Sequence, residues 1–311
     1  ELDKLLPDAI FFIYSQYPID MPVVSERWVS RVDASPFKKF LKSTIWLKLR
    51  CGLLCREDEL DFFWAGATLL PRLLPNVITL TSVYDLNHLI APETMATPTL
   101  WAYKLFFSRD VMRSDIVTTI SAGTSNRLFH YLGVKTRVII KPAASFIYKP
   151  QVPADISKCM EYYKISTKYI FSVATWEPRK NLELLITTFT NMKKQGFLPF
   201  YKLILVGGKG WKDNRLMALK TQSSPDDIIT LGYVPENDLP LLYAGADVFV
   251  FPSIYEGFGM PVMEARLCGT QVVTTDIPEL REAGGSQAIY ITPSENGIRD
   301  GILFALSCVS Q

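Results

Sequence analysis

Histidine is almost missing from this sequence: among 311 residues there are two, His88 and His130. Neither stands in an H-E-x-x-H pair or a nucleophile-elbow setting, so zinc hydrolysis and Ser/His hydrolysis lose their usual bases. The five cysteines, Cys51, Cys55, Cys159, Cys268 and Cys308, are odd in number and scattered. They make neither a disulfide framework nor a paired-CxxC zinc site, and a reducing cytoplasm is the expected compartment. No apolar run approaches the roughly 20 residues that span a bilayer, and no signal-peptide pattern follows Glu1. A charge excess is lacking too, since 33 Lys and Arg against 31 Asp and Glu give a net +2, no basis for a nucleic-acid partner. No D-x-D occurs, so the paired carboxylates that hold magnesium or manganese on a diphosphate have no evident place, and no metal ligand is assigned.

What is present is core material. With 48% hydrophobic residues the chain can bury a sizeable interior, and its length sets a prior of roughly two domains at about 150 residues each. Short β-branched runs alternate with helical patterns, the mark of a parallel sheet covered on both faces. Strands are expected at Ala9–Tyr14, Val77–Thr81, Asp115–Ile120 and Arg137–Ile140, then at Tyr169–Val173, Tyr201–Val206, Ile228–Leu231, Val248–Phe251, Gln271–Thr275 and Ala288–Ile291. Two such series predict an α/β protein of two doubly wound, Rossmann-like domains, 1–150 and 151–311, joined at the proline-bearing Lys149–Pro153. Nothing before Ala9 supplies the first strand and Gly-rich turn expected of such a domain.

Ser35–Arg56 carries Lys38, Lys39, Lys42, Lys48, Arg50 and Arg56 with no acid, interleaved with Phe37, Phe40, Leu41, Ile45, Trp46, Leu47 and Leu49. Two readings stand: a peripheral contact with an anionic membrane, or an ordinary helix with its apolar stripe on the core and its lysines in water. Cys51 and Cys55 are spaced to face the core together.

The richest stretch is Asp247–Gly269, D-V-F-V-F-P-S-I-Y-E-G-F-G-M-P-V-M-E-A-R-L-C-G. A buried strand ends in a loop where Gly257 and Gly259 let backbone approach a ligand closely. Pro261 fits the first turn of a helix and Gly269 the position just past its end. That helix start favours an anion such as a phosphate. Glu264 is placed on its first turn and Glu256 on the loop, so two carboxylates eight residues apart can face one cleft. Upstream, Arg179 and Lys180 stand together just before a helix for which Asn181 is the expected cap. Such a pair can neutralise a leaving diphosphate without a metal, or be a solvated surface pair. Val206-Gly207-Gly208-Lys209-Gly210 invites the dinucleotide fingerprint, but its third glycine is replaced by Asp213, and Gly257-x-Gly259 continues to Val262, so a nicotinamide dehydrogenase is disfavoured.

The string E-G-F-G-x-P-x-x-E-A, with its E-x(7)-E spacing, resembles the family 4 retaining glycosyltransferases of GT-B fold. The likeness extends through Thr118-Ile120-Ser121, Lys141-Pro142, Glu177–Asn181, Val206-Gly207-Gly208, Gly232-Tyr233-Val234, Leu239–Asp247 and Thr275–Pro278. It implies two Rossmann-like domains facing across a cleft, an acceptor-side domain at 1–150 and a nucleotide-sugar domain at 151–311. It implies that Glu264 holds the donor ribose, that Glu256 lies beside the transferred sugar, and that Gly257, Phe258, Gly259 and Met260 meet sugar and phosphate. Lys180 matches the family's phosphate-binding Lys. The companion Arg falls where this chain has Thr175 and Trp176, so Arg179 is expected to take its part. Gly207, Gly208, Tyr233 and Val234 would complete the nucleotide site. Thr81–Leu86 resembles an H-D-L segment in which Tyr84 replaces the His. Either the sugar contact changes or His88 supplies it, unless His88 is a plain loop residue. Asp85 is kept and expected in the cleft.

The implied reaction moves a hexosyl unit from a UDP- or GDP-sugar to a glycan or lipid-linked acceptor, with retention, no metal and no cofactor beyond the donor. Its setting would be polysaccharide or glycolipid synthesis in the cytoplasm, at the inner membrane face if Ser35–Arg56 touches lipid. Alternatives are a non-catalytic nucleotide-sugar-binding or scaffold subunit, and an epimerase or phosphorylase of similar fold.

Overall fold

The computed structural model describes residues 2–20, 25–208 and 226–309. Lys209, Gly210 and Asp213 of the Gly-Gly loop lie outside the described residues. The chain divides into two compact units: residues through Val83, Trp101–Thr118 and Leu132–Val138 form one, and Tyr84–Leu100, Thr119–Tyr131 and residues from Ile139 onward form the other.

In the first unit, β1 (Phe11–Ser15) pairs in parallel with β2 (Trp28–Val32), with Phe11 stacked on Trp28 at 4.3 Å. A separate sheet runs β3 (Phe62–Ala65), β4 (Ile78–Val83), β5 (Ile116–Thr119), β6 (Val138–Ile139) in that order. The sequence reading missed β2 and β3. In β2 the run W-V-S-R-V leaves Ser30 and Arg31 exposed in mid-strand, and β3 is a short apolar run, F-F-W-A, that follows the acid-rich Glu57–Asp61 and keeps Phe62 and Trp64 exposed, so neither reads as a strand buried on both faces. The strand expected at Ala9–Tyr14 runs Phe11–Ser15 and, among the described residues, pairs only with β2.

The second unit is built on β7 (Lys168–Val173), β8 (Tyr201–Val206), β9 (Ile228–Gly232), β10 (Val248–Phe251), β11 (Val272–Thr275) and β12 (Ile289–Ile291). Every pair is parallel, in the order β12-β11-β10-β7-β8-β9. Burial on both faces explains runs such as V-F-V-F in β10, all of it out of solvent. Helix Leu182–Lys194 covers one face with Leu182, Leu185, Ile186, Phe189 and Met192, a stripe at helical spacing, and Glu295–Val309 adds Ile298, Ile302 and Ala305. Three strands run outward in one direction from β7 and three in the other from β10. The order therefore reverses between β7 and β10, the topological switch point where doubly wound sheets open a crevice beyond their strand ends.

Candidate active site

Two loops leave that switch point. The one after β7 turns through a short helical segment, Pro178–Lys180, into helix Leu182–Lys194. The one after β10 runs Pro252–Gly259 into helix Met260–Leu267. They are tied together by backbone, the Ile254 N–H donating to the Arg179 carbonyl at 2.8 Å. Asn181 does stand at the helix start, but in a left-handed conformation (φ 55°) with no side-chain cap bond, so its use is the turn and not the cap.

Glu256 is the centre of the cluster. It is buried, and its two oxygens are taken separately: Lys180 Nζ donates to Oε1 at 2.6 Å and Arg179 Nη1 to Oε2 at 2.9 Å. The Ser253 hydroxyl adds a third bond to Oε1 at 2.7 Å. Burial pushes this carboxyl up, yet Lys180, Arg179 and these hydrogen bonds outweigh it and hold the group below the usual carboxylate range. Arg179 also reaches Glu177 at 3.1 Å, and Asp85 lies near enough to favour its charge. Lys180 stands over the Phe251 ring at 5.1 Å. The two cations expected to await a diphosphate are thus already gathered on one carboxylate.

The glycine loop is set by what presses on it. At Gly257 a Cβ would collide with the Tyr84 carbonyl, so only glycine lets these strands of backbone meet. Gly259 takes φ 102° at the helix cap, where a side chain would also strike Leu280. The Gly257 carbonyl accepts from the hydroxyls of Ser121 (2.7 Å) and Thr124 (3.0 Å). The buried Tyr255 hydroxyl accepts the Leu86 N–H at 2.6 Å, which brings Tyr84 and Asp85 beside the loop.

Pro261 lies in the first helical turn and Gly269 is left-handed just past the end, as expected. Glu264 does not lie on the first turn. The helix begins at Met260, making Glu264 its fifth residue and putting it on the second turn. Its carboxyl is pushed up by burial, with Tyr243 donating to Oε2 at 3.0 Å and Glu236 adding like charge.

Residues 164–307 match the family model described as glycosyl transferases group 1. The lipopolysaccharide glycosyltransferase WaaG superposes with a TM-score of 0.73 at 16% identity, over 97% of this chain and 84% of that one. Anabaena Alr3699/HepE, solved with UDP-glucose, gives 0.66 at 19% identity over 97% and 94%. The fold is GT-B. Among curated proteins, O-antigen chain mannosyltransferase B of Escherichia coli is 31% identical over 245 residues, 77% of this chain and 63% of that protein. O-antigen chain mannosyltransferase RfbU of Salmonella typhimurium is 28% identical over 251 residues, 80% of this chain and 65% of its own length. The chain thus spans less than two thirds of both.

Within the GT-B frame, Glu256, Arg179 and Lys180 meet directly, and Asp85, Tyr84, Gly257, Phe258, Gly259 and Met260 gather around them. Gly207 and Gly208 follow β8, the first donating its N–H to Gly232 at 2.9 Å and the second accepting from Trp176 at 3.3 Å. Tyr233 is exposed beyond β9, whereas the Val234 side chain is buried in the core. His88 is neither a loop residue nor open to a ligand: it is 3% exposed in the helical turn Asn87–Ile90, and burial pushes it down to about 4. Sequence reasoning missed Ser253, Tyr255, Thr124 and Tyr243. The first two sit inside the string it singled out, but a lone hydroxyl carries no spacing signal. Among the described residues no group of three or more His, Cys, Asp or Glu could hold a metal ion, and no helix is long and apolar enough to cross a membrane.

Proposed function

We propose that this chain carries the donor site of a metal-independent, retaining glycosyltransferase of the family 4 type, moving a hexosyl unit from a UDP- or GDP-sugar to a glycan or lipid-linked acceptor in cytoplasmic polysaccharide assembly. One observation carries the reading: Arg179 and Lys180 converge on Glu256 at the switch point of a doubly wound sheet, beside a helix start shaped by Gly257 and Gly259. The names of the two O-antigen relatives favour a mannosyl unit.

In this reading the donor diphosphate takes Arg179 and Lys180 as its counter-charges, which Glu256 keeps in register before it arrives. Glu264 accepts from the ribose hydroxyls. As the bond from the anomeric carbon to the diphosphate oxygen breaks, the acceptor hydroxyl attacks from the same face and its proton passes to the departing diphosphate. Fixed positive charge where negative charge develops, with both reactants held together, supplies the rate.

Calorimetric titration with UDP, GDP, UDP-glucose and GDP-mannose tests it. Saturable binding of one nucleotide set, weakened at least about tenfold in Glu264→Ala (a loss of ~1.4 kcal/mol), is expected, with Arg179→Ala and Lys180→Ala mainly slowing transfer. Unchanged constants in all three variants overturn the assignment. Tyr84 in place of a His favours the second reading, a donor-binding subunit without turnover, and product analysis separates the two, and an epimerase or phosphorylase as well.

A further inference from the structure

The segment Ser35–Arg56 resolves into a short helical turn, Pro36–Phe40, and a continuous helical stretch from Ser43 to Glu57 with one wide turn at Leu47–Cys51. Its inward side is settled. Trp46, Cys51 and Cys55 are buried, the two sulfurs 3.9 Å apart, and Gly52 packs against the backbone of Arg72. The ordinary expectation, an apolar stripe on the core, holds for those residues and for Leu41, Leu47 and Leu54, which pack against them.

A second apolar stripe faces water. Phe37 and Phe40 are 69% and 81% exposed, and on a three-residue turn they share a side. Ile45, Leu49 and Leu53 recur every fourth residue, all exposed, flanked at helical spacing by the exposed Lys42 and Arg56. The basic residues divide in the same way. Lys48 pairs with Asp110, Arg50 with Asp33 at 2.9 Å, and Lys38 donates to the Asp33 carbonyl. Lys39, Lys42 and Arg56 enter no ion pair among the described residues, and residues 35–56 contain no acid at all. The cations that the fold does not use therefore accompany the apolar side chains that it does not bury.

We propose that this surface docks on an anionic lipid bilayer, the two phenylalanines and the Ile45/Leu49/Leu53 row entering the acyl boundary while Lys39, Lys42 and Arg56 meet the headgroups. Large exposed apolar side chains rimmed by polar groups mark a contact site, and the rim here is basic along Lys39, Lys42 and Arg56 and turns acidic only at the exposed Glu57 that ends the stretch. A negatively charged interface with an apolar interior satisfies both halves of this one, which a purely apolar partner does not. The inference does not depend on the donor-site reading.

Flotation of the 311-residue chain with phosphatidylglycerol/phosphatidylcholine vesicles tests it, with phosphatidylcholine vesicles alongside. Binding is expected to the anionic vesicles, to fall several-fold when salt is raised from ~0.1 to ~0.5 M, and to drop at least about tenfold in Phe37→Ser/Phe40→Ser and in Lys39→Glu/Lys42→Glu. All four sites are exposed, and an unchanged Tm shows that the variants fold. No binding, equal binding to both vesicle types, or undiminished binding by the variants overturns the proposal. So does a dimer in sedimentation equilibrium that the Phe substitutions dissociate, which would make a second copy the occupant. Nucleotide titration on the same preparation reports separately on the donor site.

Discussion

Ser121 donates its hydroxyl to the carbonyl of Gly257 at 2.7 Å, across 136 residues of sequence. Its oxygen in turn accepts the Thr124 N–H at 2.9 Å, so a helix start from the first half of the chain grips the glycine loop of the second. With the Thr124 hydroxyl on the same carbonyl, the peptide plane between Gly257 and Phe258 is held at its oxygen end, which aims the N–H on its other side.

Removing both hydroxyls in Ser121→Ala/Thr124→Ala frees that plane while leaving the fold in place. Donor affinity is expected to fall by up to about thirtyfold, in line with about 1 kcal/mol for each of the two lost hydrogen bonds, with a smaller change in the turnover number. Calorimetry and steady-state kinetics on the double variant measure the split.

Gly257→Ala meets the Tyr84 carbonyl directly, with no flexible side-chain end to yield. The loop must shift, at a cost of about 1–3 kcal/mol. A lowered Tm together with loss of nucleotide binding is the expected result in thermal unfolding and titration.

Glu256→Gln leaves Arg179 and Lys180 facing each other without their shared anion, and removing one partner of a buried pair costs about 3–5 kcal/mol. Inorganic pyrophosphate should restore part of the loss, raising the variant's Tm more than the parent's. Glu256 carries a pH signature too. Its folded value is lowered, with Lys180 and Arg179 outweighing burial, so its contribution is present above the unfolded carboxylate value of about 4.3 and is lost as pH falls through the lower folded one. The variant should lack that acid limb.

Glu264 behaves oppositely. Burial raises its carboxyl, so the ionised form is held at a cost that appears as pH rises from the unfolded value through the folded one. Glu264→Gln keeps an oxygen for Tyr243 and sheds the charge. The variant should melt no lower than the parent at neutral pH while binding nucleotide far more weakly, a trade of stability for function visible in paired melting and titration curves.

His88 supplies a third titration. Buried and pushed down to about 4, it stays neutral in the fold but takes a proton near 6.5 when unfolded. Stability is therefore complete above about 6.5 and lost as pH falls toward 4, by ~3 kcal/mol at the low end. Urea midpoints between these limits should decline in the parent and stay flatter in His88→Phe.

The parts of the fold legible in sequence were those whose residues are buried on both sides. Strands β7, β8, β10 and β11 read as apolar runs because most of their residues are out of solvent, and Glu256, Gly257, Gly259 and Pro261 stood out because a close turn before a helix permits few alternatives. Strand β2, half-exposed with Arg31 outward, offered no such contrast. The Ser121, Thr124 and Tyr255 contacts were illegible for another reason: each joins places far apart in the chain, and one hydroxyl looks like any other until the fold brings its acceptor near. Glu264 was misplaced by one turn because the proline at position 261 marks a helix start only to within a residue or two.

The passages Tyr84–Leu100 and Thr119–Tyr131, early in sequence, group with the later unit and supply the hydroxyl, amide and carbonyl contacts that frame its glycine loop. This constrains how such a gene can be shuffled. A crossover at Lys149–Pro153, which lies inside the later unit, would give a chimera whose six-stranded sheet is whole but whose glycine loop meets foreign neighbours. Halves from different parents become compatible only if they keep the hydroxyls of Ser121 and Thr124 and the backbone path through Tyr84 and Leu86, so these four positions mark the seam at which such halves must fit.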